Sequence, residues 1–391
     1  MTKLLFASDS FKGTLSSQET ARILTEELAE VSPRSTCTAL AVGDGGEGTA
    51  AALVDGVGGD FMGVDVHDPL GRPLKTSYAR LADGRAVIEM AAASGLSLLK
   101  RSELDPYAAT SYGTGELIRA ALEAGADDVL ICVGGTATND GGMGAMRALG
   151  VRFLDENDVE LEGCGADLVR VHSIDASGLD PKAKAATFHV LCDVASPLIG
   201  PKGATTIFGP QKGADEKAVE ELEAGMRSYA QVLSQVAGRD ITHLPGGGAA
   251  GGMGVACQVL LDAVYERGGD YVLDLLGFDK LLRDVDLVVT GEGHLDAQTA
   301  EGKVVSSVAR RAFEHGVSCV AVVGAADDVS LDVLDALHLQ VVVSCSPSPQ
   351  TETEMKEGAA TAYRQTVRSF FQVFMLGYNA GRMAAAIEGD F

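Results

Sequence analysis

The chain has 391 residues and a formal net charge of −24, with 46% hydrophobic and 22% charged side chains. The carboxylate excess speaks against nucleic-acid or anionic-membrane partners, which need clustered Lys and Arg. The apolar content excludes a disordered chain, and the length suits two domains, or three. An anionic substrate would have to meet local positive groups inside this negative field: the few lysines, backbone N–H groups or a metal.

Short β-rich runs alternate with longer helical stretches along the chain. Residues 3–7 read as a strand. Residues 16–31 read as a helix, with Ser16 and Glu19 at capping-box spacing. Strands are expected at 36–42, 86–90, 128–133 and 187–192, and helices at 113–124, 216–236 and 249–265. The run 285–290 is an apolar strand ending in a polar loop. A helix over 302–315, a strand over 318–323 and a mostly helical stretch over 351–387 complete the pattern. Such alternation implies an α/β fold with largely parallel pairing. HDPLGRPLK (67–75) reads as a turn or crossing, and a fresh buried strand begins after Asp284.

The N-terminal run reaches Asp9 too soon for a secretory apolar core. No stretch approaches the ~20 apolar residues of a membrane span. Seven dispersed cysteines with no CxxC pair suit neither a disulfide framework nor a zinc site. The expected compartment is therefore the cytoplasm.

Glycine is abundant, 48 of 391 residues, against a usual level of roughly 7%. Many cluster, in GDGGEG (43–48), GGTATNDGGMG (134–144), PGGGAAGGMG (245–254) and TGEG (290–293). Such loops let backbone approach a ligand closely and aim N–H groups at anions. No GxxxxGK[ST], HRD or DFG motif is present, so the chain is neither a P-loop enzyme nor a protein kinase. The two GxGxxG matches are weak, because Asp44 and Glu47 interrupt the first and no strand precedes the second.

Phosphoryl transfer needs cations and N–H groups around the phosphoryl oxygens, carboxylates for Mg²⁺ and a group to accept the hydroxyl proton. Polar residues after apolar strands answer that list. Asp9, Ser10 and Lys12 follow the first strand, where a solvated turn is the plainer reading. Asp44 and Glu47 suit a metal or a pair of hydroxyls, against a turn with a helix cap. Asn139 and Asp140 lie at the ligand edge of a parallel sheet, with N-capping as the competitor. Asp193 ends an apolar strand, as a general base would. Gln211 and Lys212 sit in FGPQKGA, and Lys212 could supply positive charge. Glu292, His294 and Asp296 follow the strand at 285–290, with Lys303 on the next helix. The histidines are scattered with no HExxH, and no GxSxG elbow occurs. Spacing alone names no substrate.

In order, DSFKGTLSS (9–17), DGGEGT (44–49), EMAAASGL (89–96), TSYGTGELI (110–118), GGTATNDGGMGAMRALG (134–150), FGPQKGA (208–214), PGGGAAGGMG (245–254) and TGEGHLDAQTAEGK (290–303) closely resemble the motifs of the bacterial-type glycerate kinases. The resemblance implies ATP, Mg²⁺ and D-glycerate, with 2-phosphoglycerate and ADP as products. It also implies one discontinuous α/β domain (1–75 with 285–391), a second α/β domain (76–284) inserted into it, and a reaction cleft between them. Within that frame Asp193, or else Asp296, takes the hydroxyl proton. Lys12 holds the glycerate carboxylate or the moving phosphoryl group, and Asp9, Ser10 and His294 line the substrate side. Asp44, Glu47 and Glu292 hold Mg²⁺. Gly134, Thr136, Asn139, Asp140, Gln211, Lys212, Gly247, Gly248 and Lys303 face the nucleotide. Three places depart from the family pattern: His294 stands where Arg is usual, Thr136 where Ser is usual, and Ala41-Val42-Gly43 where Pro-Val-Ala is more usual. The first leaves room for a kinase of a different small hydroxy acid. A non-catalytic nucleotide or metabolite sensor is the other alternative, and a homo-oligomer is admissible.

Overall fold

In the computed structural model, residues 2–11, 13–193, 196–296, 303–327, 329–345 and 352–388 are described; the side chains of 352–356 and 382–388 are not among them. In chain order the strands are β1 (Lys3–Ser8), β2 (Thr36–Ala41), β3 (Gly59–His67), β4 (Pro73–Leu81), β5 (Ala86–Glu89), β6 (Asp128–Cys132), β7 (Arg152–Leu154) and β8 (Ser173–Asp175). They continue with β9 (Thr187–Leu191), β10 (Val264–Glu266), β11 (Leu287–Gly291), β12 (His294–Leu295), β13 (Cys319–Val323), β14 (Ala325–Ala326) and β15 (Val341–Ser344). The first two helices are α1 (Ser17–Val31) and α2 (Thr49–Val57). The class is α/β, and the chain parts into two compact units: Met1–Gly43 with Val272–Phe391, and Asp44–Tyr271.

In the unit built from both chain ends, the described strands form a sheet in the order β15-β13-β11-β1-β2. Every pairing in it is parallel. α1 starts where its capping box predicts: Ser16 Oγ accepts from Glu19 N at 3.2 Å, and Glu19 Oε2 accepts from Ser16 N at 2.9 Å. Its buried residues Thr20, Ile23, Leu24, Glu27 and Leu28 form one helical stripe. Ile23 and Leu24 join Phe6, Val289, Val322, Val367 and Phe371 in the core. The long helix Glu352–Glu388 is tied to α1 through Glu27, whose fully buried carboxylate receives Arg364 Nη1 and Arg368 Nε, each at 2.6 Å. Those guanidinium groups, Arg368 first, hold the Glu27 carboxyl below the usual range.

The Asp44–Tyr271 unit carries a sheet ordered β10-β9-β6-β5-β4-β3. From β10 to β5 the pairing is parallel, and β5-β4-β3 is antiparallel. Ile88, Ile131, Val190, Phe153, Met146 and Tyr229 belong to its core. Among the described residues, no helix is long and apolar enough to cross a membrane.

Three sequence expectations differ from this architecture. The units part at Gly43 and Tyr271 rather than near Lys75 and Asp284. The reason is the β3–β4 hairpin. HDPLGRPLK is its turn, held by the Asp68 carboxylate, which accepts from Leu70 N, Arg72 N and Arg72 Nε. The segment 249–265 is not one helix. Only Met253–Leu260 is α-helical, and β10 follows it. Gly251 and Gly252 adopt φ of +67° and +98°, and Ala250 reaches +52°. These left-handed residues bend the chain where a helix would have to begin.

The bend serves a close backbone approach. A Cβ on Gly251 would overlap the Thr138 carbonyl oxygen, and Gly141 N donates to Gly251 O at 2.9 Å. Gly251→Ala must adopt left-handed backbone, at ~1–2 kcal/mol, and displace that carbonyl as well. Its melting temperature should fall by about 4 °C or more in calorimetry; an unchanged value would show that the contact yields easily.

Candidate active site

The parallel strands of the Asp44–Tyr271 unit end in a row, and the glycine loop at 44–48 lies across them. Gly45, at φ +85°, could carry no side chain, since its Cβ would lie 2.5 Å from Leu191 O at the end of β9. Gly134, past β6, donates N–H to Gly45 O at 3.2 Å, and a Cβ on it would strike Gly46. Beside β5, Glu89 Oε1 accepts from Ala50 N at 2.7 Å. The loop also closes on itself, with Asp44 Oδ1 accepting from Gly46 N and Thr49 Oγ1 accepting from Gly45 N.

This packing groups acids at the sheet's carboxyl edge, where ligands of parallel sheets bind. Asp193, two residues beyond β9, is held by Gly269 N at 3.2 Å from Oδ1 and 3.4 Å from Oδ2. Burial, and then the charge of Asp44, push its carboxyl up to about 8. Glu89 is raised as well, by burial first, with the Glu47 and Asp44 charges adding to it. The sequence therefore brings Asp44, Glu47 and Asp193 into one electrostatic neighbourhood. Glu89 belongs there too, although spacing gave no reason to single it out; its signals were its place at a strand end and at the head of the EMAAASGL motif.

Other expected nucleotide contacts lie beneath this surface. Asp140 is fully buried, and its carboxylate accepts from Ser111 N and Oγ, Gly142 N and Gly144 N. Burial still raises its carboxyl above the ordinary value. Asn139 is buried and donates to Thr205 Oγ1 at 3.1 Å. Lys212 is 2% exposed, donates to Thr138 O at 2.6 Å, and is lowered to about 8 by burial. Thr136 is buried, Gly134 is partly open and Gln211 is exposed. Gly247 and Gly248 are buried in turn geometry, with Gly247 N on Leu244 O and Gly248 N on Ser196 O. Asn139, Asp140 and Lys212 thus support the loops in this state rather than face solvent.

In the other unit, polar residues again follow parallel strands. Asp9, after β1, is 7% exposed; its N–H donates to Gly291 O, and its Oδ1 accepts from Ser10 N at 2.7 Å. Lys12 lies outside the described residues. Lys303 Nζ stands 3.3 Å from Asp296 Oδ1 and 4.0 Å from Glu292 Oε2, uniting three of the expected residues. His294 is turned to a different partner: its exposed Nε2 meets Asp327 Oδ1 at 2.8 Å.

A family model described as the glycerate kinase family matches residues 4–375. The chain belongs to the glycerate kinase family. A relative in Bacillus subtilis (strain 168) named glycerate kinase is 43% identical over 323 residues, 82% of this chain and 85% of the relative. One in Escherichia coli (strain K12) named glycerate 2-kinase is 39% identical over 381 residues, 97% of this chain and all of the relative. A crystal structure from Salmonella typhimurium LT2, provisionally named glycerate kinase 2, superposes with a TM-score of 0.83 at 38% identity, covering 97% of this chain and 99% of that one. The family member described here is accordingly an enzyme of the α/β class.

Asp193 makes this carboxyl edge sensitive to pH. With its folded pKa about 8, against an unfolded value of ~4, the fold favours the protonated form. That stabilisation is complete below the unfolded value and is lost as pH rises through the folded one. Asp193→Asn should therefore melt like the parent in acid, increasingly above it between about pH 4 and about pH 8, and by a constant margin at higher pH. Ligand-free melting curves across that range test this; a difference that does not grow with pH would mean an ordinary carboxylate.

Proposed function

We propose that this enzyme transfers the γ-phosphoryl group of ATP to the 2-hydroxyl of D-glycerate, giving 2-phosphoglycerate and ADP in the cytoplasm. The observation that carries this reading is Asp193 at the carboxyl end of β9, beside a glycine loop that bears Asp44 and Glu47. A carboxyl whose proton affinity lies nearer neutrality than usual is a better acceptor for a hydroxyl proton. The family match and the E. coli relative named glycerate 2-kinase support the choice of acceptor. The seven unpaired thiols suit a reducing compartment.

The residues present fit Mg²⁺. Among the described residues, no three His, Cys, Asp or Glu side chains form a cage for a metal. Mg²⁺ needs none, since it is commonly held through one or two carboxylates together with substrate phosphates. Asp44 and Glu47 offer hard oxygen donors, and a cation would offset the acid charges that add to burial in raising Asp193 and Glu89. Glu292 is the corresponding candidate in the other unit, beside Lys303. Bound Mg²⁺ would offset charge on the transferring phosphates.

The chain's own residues do the rest by position and charge. Asp193, in its ionised form, takes the proton from the 2-hydroxyl. Lys12 neutralises the glycerate carboxylate or the transferring phosphoryl group, with Asp9 and Ser10 beside it in sequence. Lys303 offers an ammonium group to the nucleotide, and Gly134, Thr136, Asn139, Asp140, Gln211, Lys212, Gly247 and Gly248 hold or flank the loops that receive it. A kinase for a different small hydroxy acid is the second reading. It is favoured by His294, which pairs with Asp327 where the family usually has Arg.

Incubation with ATP and D-glycerate, coupled through enolase with phosphoglycerate mutase omitted, tests the reading directly. Enolase accepts the 2-phospho product and not the 3-phospho product. A signal is expected. ADP release without it would mean transfer to another hydroxyl, and silence in both with ATP bound would favour a sensor. In the same assay Asp193→Asn should lower kcat by ~10²–10⁴-fold; a loss below tenfold would remove Asp193 from the role of base. Lys12→Met should cost more, and parental kinetics would sink its assignment.

A further inference from the structure

Helix α2 has an unusual start. Its N-cap is Gly48, at φ +94°, which has no side chain to receive the orphan N–H groups of the first turn. Ser, Thr, Asp or Asn ordinarily does that work. Here the acceptor comes from another element, 39 residues away in sequence: Glu89 at the end of β5 takes Ala50 N at 2.7 Å. An anionic oxygen at a helix N-terminus gains both the hydrogen bond and the attraction of the helix dipole.

The stretch 44–48 is thereby fastened at both ends. At one end Gly45 and Gly46 lie against Leu191 O and Gly134. At the other, Glu89 grips the first turn of α2. Glu47 stands between the two anchors, and Asp44 directly precedes the first. Glu47 is exposed, so its own contacts do little to fix the loop.

We infer that Glu89 is a positioning residue, a cap supplied in trans by β5 that holds the Asp44–Glu47 loop in the geometry the phosphoryl-transfer reaction requires. The inference rests on the functional reading above for its catalytic consequence, and on the loop geometry alone for the cap.

Two variants separate positioning from direct ligand contact. Glu89→Gln keeps an oxygen for Ala50 N and removes the charge, whereas Glu89→Ala removes both. Amide hydrogen exchange on the ligand-free protein should accelerate at residues 45–52 in Glu89→Ala by ~10-fold, the loss of one charge-assisted hydrogen bond, with remote segments unchanged. In Glu89→Gln it should stay within about threefold of the parent. Glycerate kinase kcat/KM should follow the same order, falling ~10–100-fold in Glu89→Ala and less than about tenfold in Glu89→Gln. Parental exchange at 45–52 in Glu89→Ala would overturn the cap. Full inactivity of Glu89→Gln with parental exchange would overturn positioning and make the carboxylate itself a ligand contact. If Glu89→Ala does not fold, Glu89→Gln decides alone, its retained activity and protection supporting the inference. A parent protein without glycerate kinase activity would overturn the functional reading together with Glu89's catalytic consequence, while the exchange results would still decide the cap.

Discussion

Backbone must touch backbone at the carboxyl edge of the Asp44–Tyr271 sheet, and much of what is distinctive in that unit follows from this. The loop at 44–48 crosses the ends of β9 and β6 so closely that neither Gly45 nor Gly134 has room for a methyl group. The same constraint recurs one layer down, where Gly251 lies on the Thr138 carbonyl. Such contacts are short-ranged and tolerate only glycine. The abundance of that residue is therefore a packing requirement as much as a means of receiving anions.

Close approach has an electrostatic price. It crowds Asp44, Glu89 and Asp193 where water is scarce, with exposed Glu47 beside them, and Asp193 responds by holding its proton to about pH 8. A fold selected for stability alone would place an amide there. Buried charge beneath the loops is treated differently: Asp140 is surrounded by four donors, and Lys212 is directed at a carbonyl. The acids at the edge have fewer such donors, which is what leaves them responsive to a cation or a substrate proton.

Much of the fold was legible because local and tertiary signals agree. α1 begins at its capping box and buries a single stripe. The apolar runs that became β6, β9 and β11 are central strands whose residues are mostly buried. Legibility failed where one residue type serves two purposes. The glycines before Met253 looked like the opening of a helix and are left-handed turns. Prolines and a glycine at 67–75 looked like a boundary and are a hairpin turn, because Asp68 supplies the hydrogen bonds that shape it. At the candidate site, strand-end position singled out Asp193 and the loop acids, which the fold brings near one another. It could not separate residues that face a ligand from those that brace the loop, since Lys212 and Asp140 occupy equally suggestive motifs. Glu89 escaped notice because its partner is a backbone N–H contributed by a distant helix, and sequence spacing carries no record of that.

The division of the chain also orders its birth. Residues 44–271 form one compact unit, complete in sequence before the segment from Val272 onward is made. At ~5–20 residues per second, the ribosome needs roughly 5–20 s more to reach Arg368. During that interval β1, α1 and β2 exist without β11 and β13, the neighbours that complete their sheet, and Glu27 waits for Arg364 and Arg368. The middle of the protein can fold during translation. The first 43 residues cannot settle until those partners are made, so a chain stopped short of them would strand its N-terminal segment.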